Sequence, residues 1–196
     1  MLRTYWNRLQ SSLSRLTESA EQAYRRGWDL LADRKYEESA RALRKTLRRR
    51  QGHYYARAEL GRALSALGRS EEGLRELREA HRAKPSDRYI LFCLGAALVH
   101  ANRNEEAIEP LRRLLIIDPV YPSTACYLGY ALNNVGETER ALEAYDTALR
   151  INPNDMDALR GVGHAYLTLG RYEEAVKAYE GVGTQGEREG GRLRGL

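Results

Sequence analysis

The sequence predicts an all-α fold, a solenoid of five stacked helix-turn-helix units preceded by an extra amphipathic helix. Three observations predict it. Gly27, Gly61, Gly95, Gly129 and Gly163 stand 34 residues apart without slippage, and a fixed period of that length is the mark of units that bury their apolar faces on one another. Pro85, Pro119 and Pro153 keep the same period, as do Gly68, Gly136 and Gly170 in multiples of it. Within each period, apolar residues recur at helical spacing and nothing reads as a strand.

Setting the register on the glycines gives units 20–53, 54–87, 88–121, 122–155 and 156–189. The unit 122–155 shows the design. Its first helix carries Leu128, Gly129 and Leu132, and Gly136 closes it, since glycine adopts the left-handed conformation of a helix C-terminus. Its second helix carries Ala141, Tyr145 and Ala148 at the spacing of one buried face, and Pro153 prevents continuation. An inner position held by Leu30, Leu64, Leu98 and Leu132 becomes Tyr166 in the last unit. The central glycines predict close helix approach. The pairs Glu37-Glu38, Glu71-Glu72, Glu105-Glu106 and Glu173-Glu174, with Glu139 in the fourth unit, fall at the start of second helices, where the dipole favours carboxylates.

The ends differ from the middle. In residues 1–19, Leu2, Tyr5, Trp6, Leu9, Leu13 and Leu16 alternate with Arg3, Arg8 and Arg15 at helical steps. Such a helix caps the first unit, lies on a membrane surface, or enters the groove of another copy, with Leu2, Trp6, Leu9 and Leu13 as its contacts. Residues from Thr184 onward are rich in Gly and charge, and 190–196 reads as a flexible tail. Without a capping helix, Val176 and Tyr179 form an exposed apolar edge, which invites a partner.

Charge is unevenly spread. The chain of 196 residues has a net charge of +5. Residues 1–53 carry thirteen Lys and Arg against six Asp and Glu, whereas 122–155 carry two against five. Arg44, Lys45, Arg48, Arg49 and Arg50 form a basic run. This supports an alternative function, RNA or anionic-surface binding through residues 34–50, against which stand the acids of the next unit and the preference for cations at a helix C-terminus.

Several chemistries are disfavoured. The longest apolar run, Tyr89–Val99, is shorter than the roughly 20 residues a membrane helix needs, and residues 1–20 hold no secretory signal. Cys93 and Cys126 make no disulfide framework and suit a reducing, cytoplasmic setting. His53, His81, His100 and His164 lack the spacing of a metal site. No Ser-His-Asp or Cys-His arrangement, phosphate loop or cofactor motif occurs. The sequence reads as non-catalytic, without cofactor or metal.

The pattern Leu128-Gly129, Ala141, Tyr145 and Pro153, and again Gly163, Tyr166, Ala175 and Tyr179, resembles the tetratricopeptide repeat (TPR) family. The resemblance covers residues 20–189. Departures are Arg26, Gln51, Gly73 and Glu187. It implies a right-handed, hook-shaped solenoid whose first helices line a concave groove, where repeat positions 2, 5, 9, 12 and 13 face the ligand. Those positions give Tyr24, Trp28, Tyr55, Arg62, Tyr89, Phe92, His100, Tyr130, Asn133, Asn134, Arg160 and His164. Aromatic and Arg side chains suit an interface, and Asn133 and Asn134 suit hydrogen bonds to a peptide backbone. The Lys and Asn clamp of chaperone-tail receptors is missing from the matching positions. Within the family the chain is similar to the magnetosome-associated TPR scaffolds, on Gly73, the stretch from Leu132 to Gly136 and the linker from Pro119 to Gly129. That similarity implies protein or peptide partners in the groove and homo-oligomerisation through the N-terminal part around a membrane vesicle. It places the protein in the cytoplasm or at a membrane periphery.

Overall fold

The computed structural model describes residues 19–121 and 123–180. They form the helices α1 (Ala20–Ala32), α2 (Tyr36–Arg49), α3 (Tyr54–Ala66), α4 (Ser70–Ala83), α5 (Arg88–His100), α6 (Asn104–Ile117), α7 (Thr124–Asn134), α8 (Thr138–Ile151) and α9 (Met156–Thr168). A tenth, α10, runs over 172–180. No strand occurs among the described residues. The segment 1–18, with Leu2, Trp6, Leu9 and Leu13, and the tail 190–196 lie outside the described residues.

The turn inside each helix pair is built the same way five times. Arg34, Gly68, Asn102, Gly136 and Gly170, each 34 apart, have φ between 58° and 86°. The next residue donates its N–H to the carbonyl five positions earlier, as in Gly136-Glu137, where Glu137 N donates to Leu132 O at 2.9 Å. Arg69, Arg103 and Arg171 do the same to Leu64, Leu98 and Tyr166. This is the closure that satisfies otherwise orphaned helix carbonyls. The paired acids lie in the first turns of α2, α4 and α6, and Glu139 in that of α8. At α4 the flanking Arg69 Nε donates to Glu72 Oε1 at 2.8 Å. Helices α4, α6 and α8 each end two residues before the proline of their unit.

Two compact units, Met1–Pro85 and Ser86–Leu196, divide the chain. In the first, α1 packs on α2 and α3 on α4, and Leu31, Ala40, Leu43, Ala56, Leu60 and Leu64 form a core flanked by Tyr24 and Tyr36. A Cβ on Gly27 would lie 2.7 Å from Leu43 Cγ, and one on Gly61 2.8 Å from the Gly73 carbonyl. Gly73, one of the departures noted above, is explained by this approach: its own Cβ would stand 2.7 Å from the Gly61 carbonyl and 2.6 Å from Ser65 Oγ. Glu59, 1% exposed, receives Arg62 NH1 at 2.9 Å, so this buried carboxylate is paired.

In the second unit, α5 packs on α6, α7 on α8, and α9 on both α7 and α8. Gly95 faces Leu111, Gly129 faces Tyr145, and Gly163 faces Tyr179, each with a would-be Cβ within 2.7 Å of the partner side chain. Leu111 and Tyr145 are buried, whereas Tyr179 is 38% exposed and Val176 and Tyr172 more so. The expected apolar edge on the last helix is therefore present.

A tyrosine-lined cleft in the second unit

The first helices α5, α7 and α9 line a cleft of about 830 Å³ within the second unit. The 34-residue repeat causes this, because it presents the same face of each first helix to the same side. Six of the twelve residues expected at the groove meet there: His100, Tyr130, Asn133, Asn134, Arg160 and His164. Asn133 Nδ2 lies 2.8 Å from His164 Nδ1, while Asn133 Oδ1 is buried without a hydrogen-bond partner. Asn134 Nδ2 donates to the Tyr130 carbonyl at 2.9 Å, and the Tyr130 ring is half exposed. His100 Nε2 is 3.2 Å from the Tyr127 hydroxyl, with the two rings edge to face.

The other six sit elsewhere. Tyr89 and Phe92 are half-buried on α5, and Phe92 packs against Tyr121 and Tyr127 at ring distances of 5.4 and 5.7 Å. Tyr24, Trp28, Tyr55 and Arg62 belong to the first unit. There Tyr24 lies against His53 at 4.5 Å, Tyr55 against Tyr54 at 4.6 Å, and Trp28 is 52% exposed. Arg62 pairs with Glu59.

Reasoning from the repeat positions missed Cys126, Tyr127, Tyr145, Asp155, Asp157 and Gly161, which also line the cleft. Asp155 caps α9, its Oδ1 accepting from Asp157 N and Ala158 N at 3.0 and 3.1 Å. Asp157 is paired with Arg160. Tyr145 is 2% exposed, yet it reaches the cleft floor beside Gly161, and its hydroxyl has no hydrogen-bond partner among the described residues. A signal was available in the sequence: Tyr145 stands where the first three units carry Leu43, Leu77 and Leu111.

Burial sets the protonation of these groups. It pushes the Cys126 thiol up to about 12, with Asp155 and Asp157 adding to the effect and Arg160 opposing it. Burial likewise raises the Tyr145 and Tyr127 phenols. At neutral pH the cleft therefore offers a protonated thiol, which is a poor nucleophile, and neutral phenols suited to hydrogen bonding. Among the described residues no three His, Cys, Asp or Glu side chains are grouped to hold a metal ion. The cleft is furnished to hold a polar segment by shape, stacking and hydrogen bonds. In the first unit, Arg44 of the basic run has Glu72 at 3.9 Å.

The Tetratricopeptide repeat model matches residues 24–87, 58–122 and 128–184. The chain belongs to the tetratricopeptide repeat family. No curated protein sequence matches it. Among solved structures it is similar to MamA 41-end from Desulfovibrio magneticus RS-1, at 19% identity over 87% of this chain and 96% of that one, with a TM-score of 0.79. A crystal structure of MamA gives 23% identity, 84% and 96% coverage and a TM-score of 0.75. YrrB, described as a TPR protein with an unusual peptide-binding site, gives 18% identity, 88% and 89% coverage and 0.73. These likenesses show the all-α repeat fold, and the MamA neighbours agree with the similarity to magnetosome-associated TPR scaffolds. The TPR fold is that of a protein–protein interaction scaffold and is generally non-catalytic. No helix among the described residues of this TPR chain is long and apolar enough to cross a membrane.

Proposed function

We propose that this TPR protein is a scaffold that captures an extended or helical segment of a partner in the cleft of its first helices and assembles with further copies of itself through its ends. The observation that carries the reading is the cleft of about 830 Å³, open to solvent and lined by Tyr, Asn, His, Arg and Asp side chains. Its volume suits a few residues of a bound segment, and its tyrosines supply contact area at small entropic cost. The first unit carries Trp28, Tyr24, Tyr55 and Arg62 as a partner surface of its own. For self-assembly, the apolar edge at Tyr172, Val176 and Tyr179 gives one contact, and Leu2, Trp6, Leu9 and Leu13 give the other. In a cell that builds membrane vesicles such as magnetosomes, such an assembly coats the vesicle from the cytoplasmic side.

The histidines provide the test. His100 and His164 line the cleft, whereas His81 lies on α4, a second helix of the first unit, and serves as the control. Carbon-bound imidazole protons are followed by NMR while a randomised pentapeptide mixture is added to the full chain. Shifts of the His100 and His164 signals with His81 unmoved support the reading. No shift at His100 and His164 overturns it.

A further inference from the structure

The cleft is unequal in its unmet hydrogen-bonding capacity. Asn133 Oδ1 is an acceptor, buried and unpartnered. The Tyr145 hydroxyl, on a side chain 2% exposed, opens into the same cleft without a partner among the described residues. Asp155 spends one oxygen on the backbone of α9, and Asp157 is paired with the exposed Arg160. Tyr127 and Tyr130 add ring faces beside these groups. Oxygen acceptors, carboxylates and electron-rich rings are what a donor-rich cation needs, and a buried acceptor left unmet costs stability until a ligand supplies the donor. The surroundings point the same way, because residues 122–155 carry five acids against two bases in a chain that is otherwise basic.

A guanidinium fits this set better than an ammonium. Its five N–H groups spread in a plane, so that it stacks on a tyrosine while donating in several directions at once. Arg160 already shows the arrangement at the mouth of the cleft, paired with Asp157. From these observations we infer that the cleft selects partner segments by an arginine side chain, which inserts between Tyr127 and Tyr130, donates to Asn133 Oδ1 and the Tyr145 hydroxyl, and competes with Arg160 for Asp157. The inference rests on the groove reading above and names the chemistry of its ligand. Gly161 is the device that makes it available, since a Cβ there would stand 2.7 Å from the Tyr145 hydroxyl and close the floor.

The test compares fluorescein-labelled pentapeptide mixtures with a fixed central residue, Arg, citrulline or Glu, by fluorescence anisotropy on the full chain. Citrulline keeps the shape of arginine and removes the charge. The Arg mixture is expected to bind at least about tenfold more tightly than the citrulline mixture, because charged hydrogen bonds are about twice as strong as neutral ones. The Glu mixture is expected to bind least. Y145F keeps the ring packing and should weaken the Arg mixture on the order of fivefold. D157N should weaken it and R160Q should strengthen it, with unchanged Tm confirming that Y145F is folded. Equal binding of Arg and citrulline mixtures, preference for Glu, or indifference to both Y145F and R160Q overturns the arginine assignment. Should the histidine signals of the cleft respond to random peptides while these contrasts vanish, the groove reading stands and only the arginine assignment falls. Equally tight binding of agmatine, a free guanidine, would make this a small-molecule site and overturn the peptide assignment.

Discussion

Gly161 on α9 makes room for Tyr145 on α8: a Cβ at Gly161 would lie 2.7 Å from the Tyr145 hydroxyl and closer still to the ring. The residue sixteen positions after Leu111 is Tyr127, whereas the residue sixteen positions after Tyr145 is Gly161. A large side chain on the second helix is thus matched by a missing one on the next first helix. Gly161→Ala should destabilise the protein by about 1–3 kcal/mol, the usual cost of overpacking. Adding Tyr145→Leu should return most of it. Chemical denaturation of the two single variants and the double variant measures the coupling, and simple additivity would show that the two residues do not share one space.

Gly73 gives a second test, in which two effects oppose. Alanine is the better helix former by about 1 kcal/mol, yet a Cβ at Gly73 would press on the Gly61 carbonyl at 2.7 Å. Backbone yields less readily than a side-chain end, so the clash wins. Gly73→Ala should lower stability by roughly 1–2 kcal/mol, read as a lower denaturation midpoint. A raised midpoint would mean that α3 and α4 separate freely.

Arg34 adopts φ 60°, a conformation that three of the five equivalent turns give to glycine. A non-glycine residue in the left-handed region costs about 1–2 kcal/mol. Arg34→Gly should therefore stabilise by about 1 kcal/mol after loss of the exposed bond from Arg34 Nε to the Tyr36 hydroxyl. The reverse change, Gly136→Ala at φ 86°, should destabilise by a similar amount. Thermal melting decides both signs.

His53 couples the first unit to pH. Burial lowers its pKa below the ordinary value, Arg50 adds to this, and Glu21 opposes it. Its Nδ1 accepts the Ala56 N–H at the start of α3, a role open only to the neutral ring. With the folded pKa below the unfolded one, the unfolded chain takes up the proton first. The contribution is thus present above about pH 6.5 and lost as pH falls toward the folded value. His53→Asn keeps a capping oxygen that does not titrate. Tm of the original chain should fall more steeply than that of the variant from pH 7 to 5.5, and parallel curves would remove His53 from the account.

Most of the fold was legible because its determinants repeat. Gly27 to Gly163, the turn glycines and the prolines each recur at one interval, so a residue that is ambiguous once is unambiguous five times. Part of the lining of the cleft was legible as well. His100, Tyr130, Asn133, Asn134, Arg160 and His164 meet in the cleft because repeat position decides which way a first-helix side chain faces. Tyr145 and Gly161 were not read, because their relation joins one unit's second helix to the next unit's first, an offset that becomes visible only once the helices are packed. Asp155 and Asp157 escaped for a different reason: they belong to a helix start, which swings its carboxylates over the cleft edge. In the first unit, Arg62 was spoken for by the buried Glu59, and no periodicity reveals which neighbour an arginine will neutralise.

The central claim is that partners lie along the first helices of this TPR chain. Photo-crosslinking tests it directly, with randomised peptides carrying one benzophenone residue and mass spectrometry to locate the adducts on the full chain. The account predicts adducts on α7 and α9, around Tyr127, Tyr130 and His164. Adducts concentrated at Ile116 and Val120, which are exposed outside the cleft, or along residues 34–50, would contradict it.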